Sequence, residues 1–507
     1  MALLRLLKNK IWLLLVLTFA LFLYLYRLDS IPPAVYVDEA VAAYDAYSIS
    51  QTLRDHYGQL LPLNFKFFGS YTPGLYVYLQ AIIIRLLGLN EFSLRLLSSV
   101  SMLAVALAIY YFFTKENLLK SKSSKLIGVF IFLISPWTVF NARLGYETTF
   151  AFALISFGIL LYRKPYLSLP LLSLSTYAAH TQRYLAPLVI GLIFILFHTK
   201  RRSQKTILWP IVIALLIQVP NLWMLTKPAF WVKSDSLTAS FISQYLSYFS
   251  PNNLFNNQDY DLQRSIPKLA VFYSWMFIPW ITGLYTLYTN RKNKIYRYLF
   301  GLILLTPLPA ALANTNYSTQ RALPLLLPYT LIITIGMDRI LYKIKKPIKY
   351  PALIGLSLFS LLLLFRSYYL LFPMQRAKAW NYGYKQLSSY ISENPQKEFI
   401  IDNSRGVPYI LLLYYLKYPP TSFQQENPKN SDQYYTDTAF NSNANFANVK
   451  VKPIDWKYDI SPDQVIVGDN LSISPDQISD HSLQEVFLIK DNHNEILLQG
   501  YQASPRN

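Results

Sequence analysis

Long runs of uncharged apolar residues alternate along this chain with short basic clusters. The runs fall near 11–27, 92–114, 126–141, 148–162, 166–179, 185–199, 206–226, 268–290, 296–313, 321–341 and 351–372. Each is near the length a bilayer demands, so the pattern predicts about eleven membrane helices, the pair within 148–179 being the shortest. Between them lie Arg5/Lys8/Lys10, Lys115/Lys120/Lys122/Lys125, Arg163/Lys164, Lys200/Arg201/Arg202/Lys205, Arg291/Lys292/Lys294/Arg297 and Lys343/Lys345/Lys346/Lys349. Basic residues mark the cytoplasmic ends of spans. An odd number of spans then places the N-terminus inside and the C-terminus outside.

Three segments are left on the outer side: the loop 28–91, the loop 227–267 and the tail beyond about 375. The first loop contains two helix-like stretches, Glu39–Leu53 and Pro73–Leu87, whose patterning predicts amphipathic helices at the membrane interface. In the tail the apolar runs shorten and Asn, Asp, Ser and Pro become common. Glu398–Asp402 and Gln464–Val467 read as strands and Val407–Leu416 as a helix. Glu485–Lys490 and Glu495–Gln499 flank Asp491-Asn492-His493-Asn494, a hairpin signal. The expected fold is a polytopic α-helical membrane protein: residues 1–374 form the membrane domain and 375–507 a small extracytoplasmic α/β domain.

Composition sharpens this picture. Of 507 residues, 53% are hydrophobic and 16% aromatic, more than a soluble chain of this length carries. The formal charge of +20 resides in the clusters between spans, so topology accounts for it and nucleic acid is not an expected partner. The chain has no cysteine, which excludes disulfides and thiolate chemistry. The basic start and apolar run of 1–26 would suit a signal peptide, but the run is too long and no small-x-small site follows it. It reads as an uncleaved first helix. No Walker loop or dinucleotide fingerprint occurs.

The residues able to carry chemistry gather at predicted outer ends. Asp38-Glu39 follows the first span by about a dozen residues. A carboxylate there can serve as general base toward a hydroxyl or amine. Asp38 is equally suited to cap a helix beginning at Glu39–Ala43, and both roles are compatible. Arg143 and Glu147 sit four residues apart at the mouth of the third and fourth spans, a spacing that places both on one helical face. They are either a functional pair or an interfacial ion pair. The turn Tyr177-Ala-Ala-His-Thr-Gln-Arg-Tyr184 holds His180, Gln182 and Arg183, and Arg321 occupies another outer turn. Arginines converging on one face suit a phosphate, with Lys66 a further cation. The alternative for each is a residue that only snorkels to lipid headgroups. Asp259-Tyr260-Asp261 is formally the metal–nucleotide-sugar pattern, but three residues in an outer loop are weak grounds for it.

In order and spacing these pieces resemble the GT-C superfamily of integral-membrane glycosyltransferases, near its protein O-mannosyltransferase and aminoarabinose (lipid A) transferase branch. The resemblance runs through Arg27-Leu-Asp-Ser-Ile-Pro-Pro33, Tyr36-Val-Asp-Glu39, Gly58-Gln-Leu-Leu-Pro62, Phe68-Gly69, Thr72-Pro-Gly-Leu-Tyr76 and Gly88-Leu-Asn-Glu-Phe-Ser-Leu-Arg95. It continues in Ser135-Pro-Trp137 with Arg143 and Glu147, and in Trp380-Asn-Tyr-Gly-Tyr384. It implies a sugar donor carried on a polyprenyl phosphate and an inverting displacement at the anomeric carbon. Asp38 would be the base, Glu39 its support and Glu147 the second acidic position. Arg183 would hold the departing phosphate, with Arg143, Lys66 and Arg321 as helpers. Tyr36, Tyr177, His180 and Gln182 are candidates to line the acceptor cavity.

The sequence departs from that pattern in places. Thr72-Pro73-Gly74 stands where the lipid A branch has a lysine before Pro-Pro-Leu. The oligosaccharyltransferase signature is only echoed by Trp380-Asn-Tyr-Gly-Tyr384, and there is no room for a luminal β-trefoil. The acceptor, whether lipid, glycan or protein, is left open. A divalent ion is compatible with the carboxylates, though no full ligand set is visible. The competing reading is a transporter or flippase of a lipid-linked sugar, which would show internal symmetry and midplane charges; the sequence displays neither.

Overall fold

The computed structural model describes residues 2–198, 201–231, 240–313, 317–428 and 431–504. Lys200 and part of the predicted outer loop, 232–239, lie outside the described residues. The internal contacts divide the chain into two compact units: Met1–Leu28, Arg95–Thr226 and Lys233–Leu370 in one, and Asp29–Leu94, Lys227–Val232 and Leu371–Asn507 in the other.

The first unit is helical. All eleven apolar ranges are helical over most of their length. Six described helices are long and apolar enough to cross a membrane: Glu91–Lys115, His180–Phe197, Ile207–Met224, Lys294–Leu312, Leu323–Lys343 and Lys346–Gln375. Ser124–Ile134 and Pro136–Ala142 would make a seventh, bent by 59°. The other ranges yield shorter helices, among them Ile11–Leu25, Glu147–Leu160, Pro165–Ser175 and Phe277–Thr289. Apolar composition runs on through breaks that the backbone does not. The bend follows from Pro136, which has no N–H to continue the preceding ladder, while Ser135 caps the new helix by accepting from the Thr138 N–H at 3.3 Å.

Glycine sets the closest helix pair in this unit. A Cβ on Gly283 would stand 2.1 Å from the Ile332 carbonyl oxygen, and one on Gly336 would stand 1.8 Å from that of Pro279. Helices Phe277–Thr289 and Leu326–Lys343 therefore meet backbone to backbone. In a membrane, where hydrophobicity does not drive helices together, such close packing is a main source of association.

The second unit is mixed. It holds an antiparallel hairpin, β1 (Asn64–Phe67) with β2 (Ser70–Pro73). It also holds a sheet of β3 (Glu398–Ile401), β4 (Ala444–Phe446), β5 (Val449–Val451), β6 (Gln464–Gly468), β7 (Leu483–Lys490) and β8 (Ile496–Ala503). The sheet order is β4-β5-β3-β6-β8-β7, with β3 parallel to both β5 and β6 and the remaining pairs antiparallel. The expected strands at 398–402 and 464–467, the helix near 407–416 and the hairpin around 491–494 all form. The short strands β4 and β5 were not anticipated, because three residues carry too little alternation to stand out. Ile400, Ile466, Ile473, Leu483 and Tyr501 pack one core of the sheet, against which Trp456 and Ile460 rest.

Segment 29–94 folds together with the tail 371–507. Its helix Val37–Thr52 is not the one-faced interfacial helix expected. Ala40, Val41, Ala42, Ala43, Tyr44 and Ala46 are all buried, on every side of the axis. The run of alanines lets helices Leu75–Leu87, Pro408–Tyr415 and Pro420–Glu426 approach from several directions. Leu75–Leu87 does keep two faces. It buries Tyr76, Val77, Gln80, Ala81 and Ile84 and exposes Ile82 and Leu86.

Gly336→Ala should lower the apparent melting temperature of the nanodisc-embedded protein by several degrees, since overpacking against backbone costs roughly 1–3 kcal/mol. Gly191→Ala, where an added Cβ meets nothing within 4 Å, should leave it unchanged or slightly raised.

Candidate functional site

The helix Val37–Thr52 begins one residue before Asp38. Tyr36 is its N-cap, Asp38 and Glu39 lie in its first turn, and the Tyr36 backbone N–H donates to Glu39 Oε2 at 3.2 Å. The expectation that Asp38 caps a helix starting at Glu39–Ala43 is thus corrected: the cap lies two residues earlier, at Tyr36. Glu39, wholly buried, has the structural task of closing the helix start, whereas Asp38 is only half-buried. Both carboxylates sit where the helix dipole favours negative charge. Tyr36 is half-buried and its ring lies 5.9 Å from that of Trp380.

Two turns further along the same helix is a group that the sequence reading missed. Asp45 is fully buried, and its Oδ1 accepts from the His56 backbone N–H at 2.9 Å and meets His56 Nδ1 at 2.6 Å. Asp55, also fully buried, accepts from the Gln59 N–H at 2.8 Å and from the Tyr434 hydroxyl at 2.5 Å. Burial, and then the nearby Asp45 charge, push the Asp55 carboxyl up to about 7. Burial by itself would lower the His56 pKa, but the charge and hydrogen bond of Asp45 outweigh it, and the imidazole is raised. The available signal was the dipeptide Asp55-His56 ten residues after an aspartate set among alanines. Its partner Tyr434 is 379 positions further on and could not be read.

Lys66, placed on β1, is buried and its ammonium pairs with Asp437 at 2.5 Å. Its backbone N–H donates to the Tyr434 hydroxyl at 2.8 Å. The lysine thus already has a carboxylate partner in its own unit.

In the helical unit, Arg143 and Glu147 do not share a helical face. The helix Pro136–Ala142 ends at Arg143, and a new helix, Glu147–Leu160, starts at Glu147. The expected four-residue face is corrected accordingly. Arg143 is fully buried and caps the first helix: Nη1 donates to the carbonyls of Leu23 at 2.9 Å and Tyr24 at 2.6 Å, and Nη2 to that of Arg27 at 3.2 Å. The rings of Tyr368 and Tyr369 flank the guanidinium at 5.3 and 5.2 Å. Those tyrosines lie in a π-helical turn, Phe365–Leu371.

Arg183, His180 and Gln182 open the helix His180–Phe197, and Arg183 Nη1 approaches His180 Nδ1 at 3.3 Å. Gln182 is buried, while His180 and Arg183 are half-buried. Tyr177 donates its hydroxyl hydrogen to the Ile217 carbonyl at 2.5 Å and accepts from the Asn221 N–H at 3.2 Å. Ala151 packs on Ala178 and Ala179, so the starts of helices Glu147–Leu160 and His180–Phe197 are neighbours. Two helix N-termini with an arginine and a histidine at one end form a setting suited to an anion.

Arg321 is half-buried in the turn that precedes helix Leu326–Lys343. Thr319 in that turn accepts from the Trp137 Nε1–H at 3.0 Å and donates its own N–H to Asp259 at 2.9 Å. Asp259 also accepts from the Asp261 N–H at 3.0 Å, so the DxD-like motif is a loop brace, with Asp261 facing Arg264 at 3.3 Å. Burial raises the Asp259 carboxyl above its ordinary range. A cleft of about 270 Å³ lies here between Trp137, Phe140, Asp259, Arg264 and Thr319. Among the described residues no three His, Asp or Glu side chains are grouped to hold a metal ion.

This architecture has solved counterparts. ArnT from Cupriavidus metallidurans in the apo state superimposes with a TM-score of 0.56 over 98% of this chain and 100% of that one, at 12% identity. The same protein bound to undecaprenyl phosphate gives 0.57, over 98% and 99%, at 11%. The chain has the GT-C fold. The archaeal oligosaccharyltransferase AglB from Archaeoglobus fulgidus, in complex with an inhibitory peptide and a dolichol-phosphate, aligns at 0.48 and 12% identity over 98% of this chain and 75% of its own. No protein-family model matches the sequence, and no curated protein matches it. At such low identity the fold is what is shared. The GT-C expectation, with its apolar helices and C-terminal sheet, therefore holds at the level of architecture.

The Asp45–His56–Asp55 group makes a pH prediction. Both Asp55 and His56 bind protons more tightly in the folded protein than in the unfolded chain. The Asp55 contribution to stability is complete below its unfolded value of 3.8 and is lost as pH rises through about 7, and His56 adds in the same direction. Thermal melts should fall steadily between pH 5 and pH 8, by an amount on the order of 2 kcal/mol. Asp55→Asn should flatten that slope, and an unchanged slope would refute the assignment.

Proposed function

We propose that this protein is an inverting glycosyltransferase that moves a sugar from a polyprenyl-phosphate donor to an acceptor at the outer face of a cytoplasmic membrane. The observation that carries the reading is the end-to-end likeness to ArnT, of which one structure contains undecaprenyl phosphate, together with an aspartate at the start of the first outer-loop helix. In this reading Asp38 accepts the proton of the acceptor hydroxyl or amine. The acceptor atom then forms a bond to the anomeric carbon from the face opposite the phosphate. The carbon–oxygen bond to phosphate breaks, its electron pair leaves with the lipid phosphate, and the configuration inverts.

The negative charge that grows on the departing phosphate needs cationic and dipolar support. Arg183 is the residue proposed for it, backed by His180 and by the N-termini of helices His180–Phe197 and Glu147–Leu160. Arg321 is assigned an auxiliary role in holding the donor. Arg143 and Lys66 are less suited than the sequence implied, since carbonyls of the first helix and the Asp437 carboxylate already engage them. Glu39 supports Asp38 by fixing the helix start, and Glu147 is the second acidic group. Tyr36, Tyr177 and Gln182 are proposed to shape the acceptor space. A divalent ion would supply further charge stabilisation at the phosphate; among the described residues no ligand set for one is grouped.

Asp38→Asn should reduce turnover of a radiolabelled polyprenyl-phosphate sugar by roughly 10²–10⁴-fold while leaving the thermal melt in place. Arg183→Ala should weaken donor binding about tenfold or more at unchanged fold. Normal turnover by folded Asp38→Asn protein would remove the base from the scheme. Tight donor binding without turnover in the presence of a broad acceptor panel, with leaflet exchange observed instead, would favour a flippase.

A further inference from the structure

The helical unit gathers at one end a set of cations that the transfer chemistry does not use. Lys115 ends the helix Glu91–Lys115, and Lys164 stands just before the helix Pro165–Ser175. Lys120 and Lys122 lie between Lys115 and the helix Ser124–Ile134, and Lys125 lies in the first turn of that helix. Lys125 is half-buried and the other four are exposed. The helix Pro165–Ser175 separates Lys164 from the turn that carries His180 and Arg183, so the two groups of cations are distinct.

The carboxylates at this end are already engaged. Glu116 accepts from the Tyr162 hydroxyl at 2.9 Å and from Arg163 Nε at 2.6 Å and Nη2 at 2.9 Å. Asp338 is buried and accepts from the backbone N–H groups of Lys120 at 2.6 Å and Ser121 at 2.9 Å. Among the described residues no carboxylate pairs with Lys115, Lys120, Lys122, Lys125 or Lys164.

Tyrosine rings receive the ammonium groups instead. Lys115 and Lys164 both lie over Tyr111, at 5.8 and 5.3 Å from its centre. Lys125 lies over Tyr110 at 4.6 Å and Lys120 over Tyr342 at 5.4 Å. An aromatic face holds a cation in place without neutralising it. Two ammonium groups at one ring repel each other, and an anion between them relieves that repulsion.

We propose that Lys115, Lys164 and Tyr111 form a binding site for the phosphate of an anionic glycerophospholipid in the leaflet that meets this end of the helices. The apolar surface beside them selects a lipid over a soluble phosphate. Leu107, one turn before Tyr111 on the same helical face, is 46% exposed, and Val100, two turns before Leu107, is 50% exposed. Tyr166 and Leu167, just after Lys164, are exposed as well. An acyl chain laid along Val100 and Leu107 brings its phosphate to the two lysines. Lys120, Lys122 and Lys125 extend the positive field to neighbouring headgroups, as basic clusters at the ends of spans do. The site requires only that these helices span a membrane, and it stands independently of the transferase reading.

The test is native mass spectrometry of the full-length protein released from mixed micelles that contain equal amounts of phosphatidylglycerol and phosphatidylcholine. Wild type should retain phosphatidylglycerol about tenfold more readily than phosphatidylcholine, and the Lys115→Gln/Lys164→Gln protein less than about threefold. Lys345→Gln/Lys349→Gln, which removes the same charge from another basic cluster, should keep the wild-type preference. Tyr111→Phe should bind as wild type does, and Tyr111→Leu more weakly. The lysines are exposed, so thermal melts of both double variants should match wild type. Equal retention of the two lipids by wild type would overturn the proposal. So would an unchanged preference in Lys115→Gln/Lys164→Gln, or an equal loss in both double variants, which would mean that net charge alone attracts the lipid. Displacement of bound lipid by inorganic phosphate at constant ionic strength would assign the site to a soluble anion and overturn the lipid assignment.

Discussion

Two aspartates and a histidine cannot be buried side by side at full charge, and the interior of the second unit is arranged around that constraint. Asp45 and Asp55 are both withdrawn from water. The His56 backbone N–H and imidazole, the Tyr434 hydroxyl and the Gln59 N–H make their burial tolerable. The Asp45–His56 bond ties the helix Val37–Thr52 to the segment that follows it, and the Asp55–Tyr434 bond ties that segment to the tail. Breaking one partner would leave an uncompensated charge in a low-dielectric interior. The helix that presents Asp38 is thus held by polar bonds with few alternatives, besides the apolar packing of its alanines.

The same economy of backbone and charge appears in the helical unit. The first helix ends where water is scarce, and its last carbonyls require donors. Arg143 supplies them, and the tyrosines of the π-helical turn cover its guanidinium. The Tyr369 hydroxyl donates to the Leu23 carbonyl at 2.5 Å as well. An arginine that looks like a ligand in one dimension is in space a helix cap. Arg183, by contrast, stands at a helix N-terminus, where it adds to a positive field instead of consuming a negative one.

The two units carry different polar groups. The cations and helix starts of the first suit an anionic lipid head. The second carries the carboxylate at the start of its inner helix and, elsewhere, an uncharged group of aromatic and amide side chains.

The sequence by itself determined where the helices are, since a bilayer-length apolar run admits few backbone structures other than a helix. It also pointed to strands at 398–402 and 464–467, which form as Glu398–Ile401 and Gln464–Gly468, and to the final hairpin. What only the tertiary structure decided is how those residues are used. The apolar runs did not reveal that breaks at Ser135 and in the segment before Phe277 shorten several helices, because hydropathy is blind to hydrogen-bond register. Four-residue spacing suggested an Arg143–Glu147 face, but the helix stops between them. Two helical stretches of the loop 28–91 were expected at the membrane interface; residues 29–94 fold with residues 371–507. That association rests on contacts such as Asp55 with Tyr434 and Lys66 with Asp437, hundreds of positions apart. Periodicity reports only on neighbours within a few turns, so contacts of that range are set by packing and charge in three dimensions.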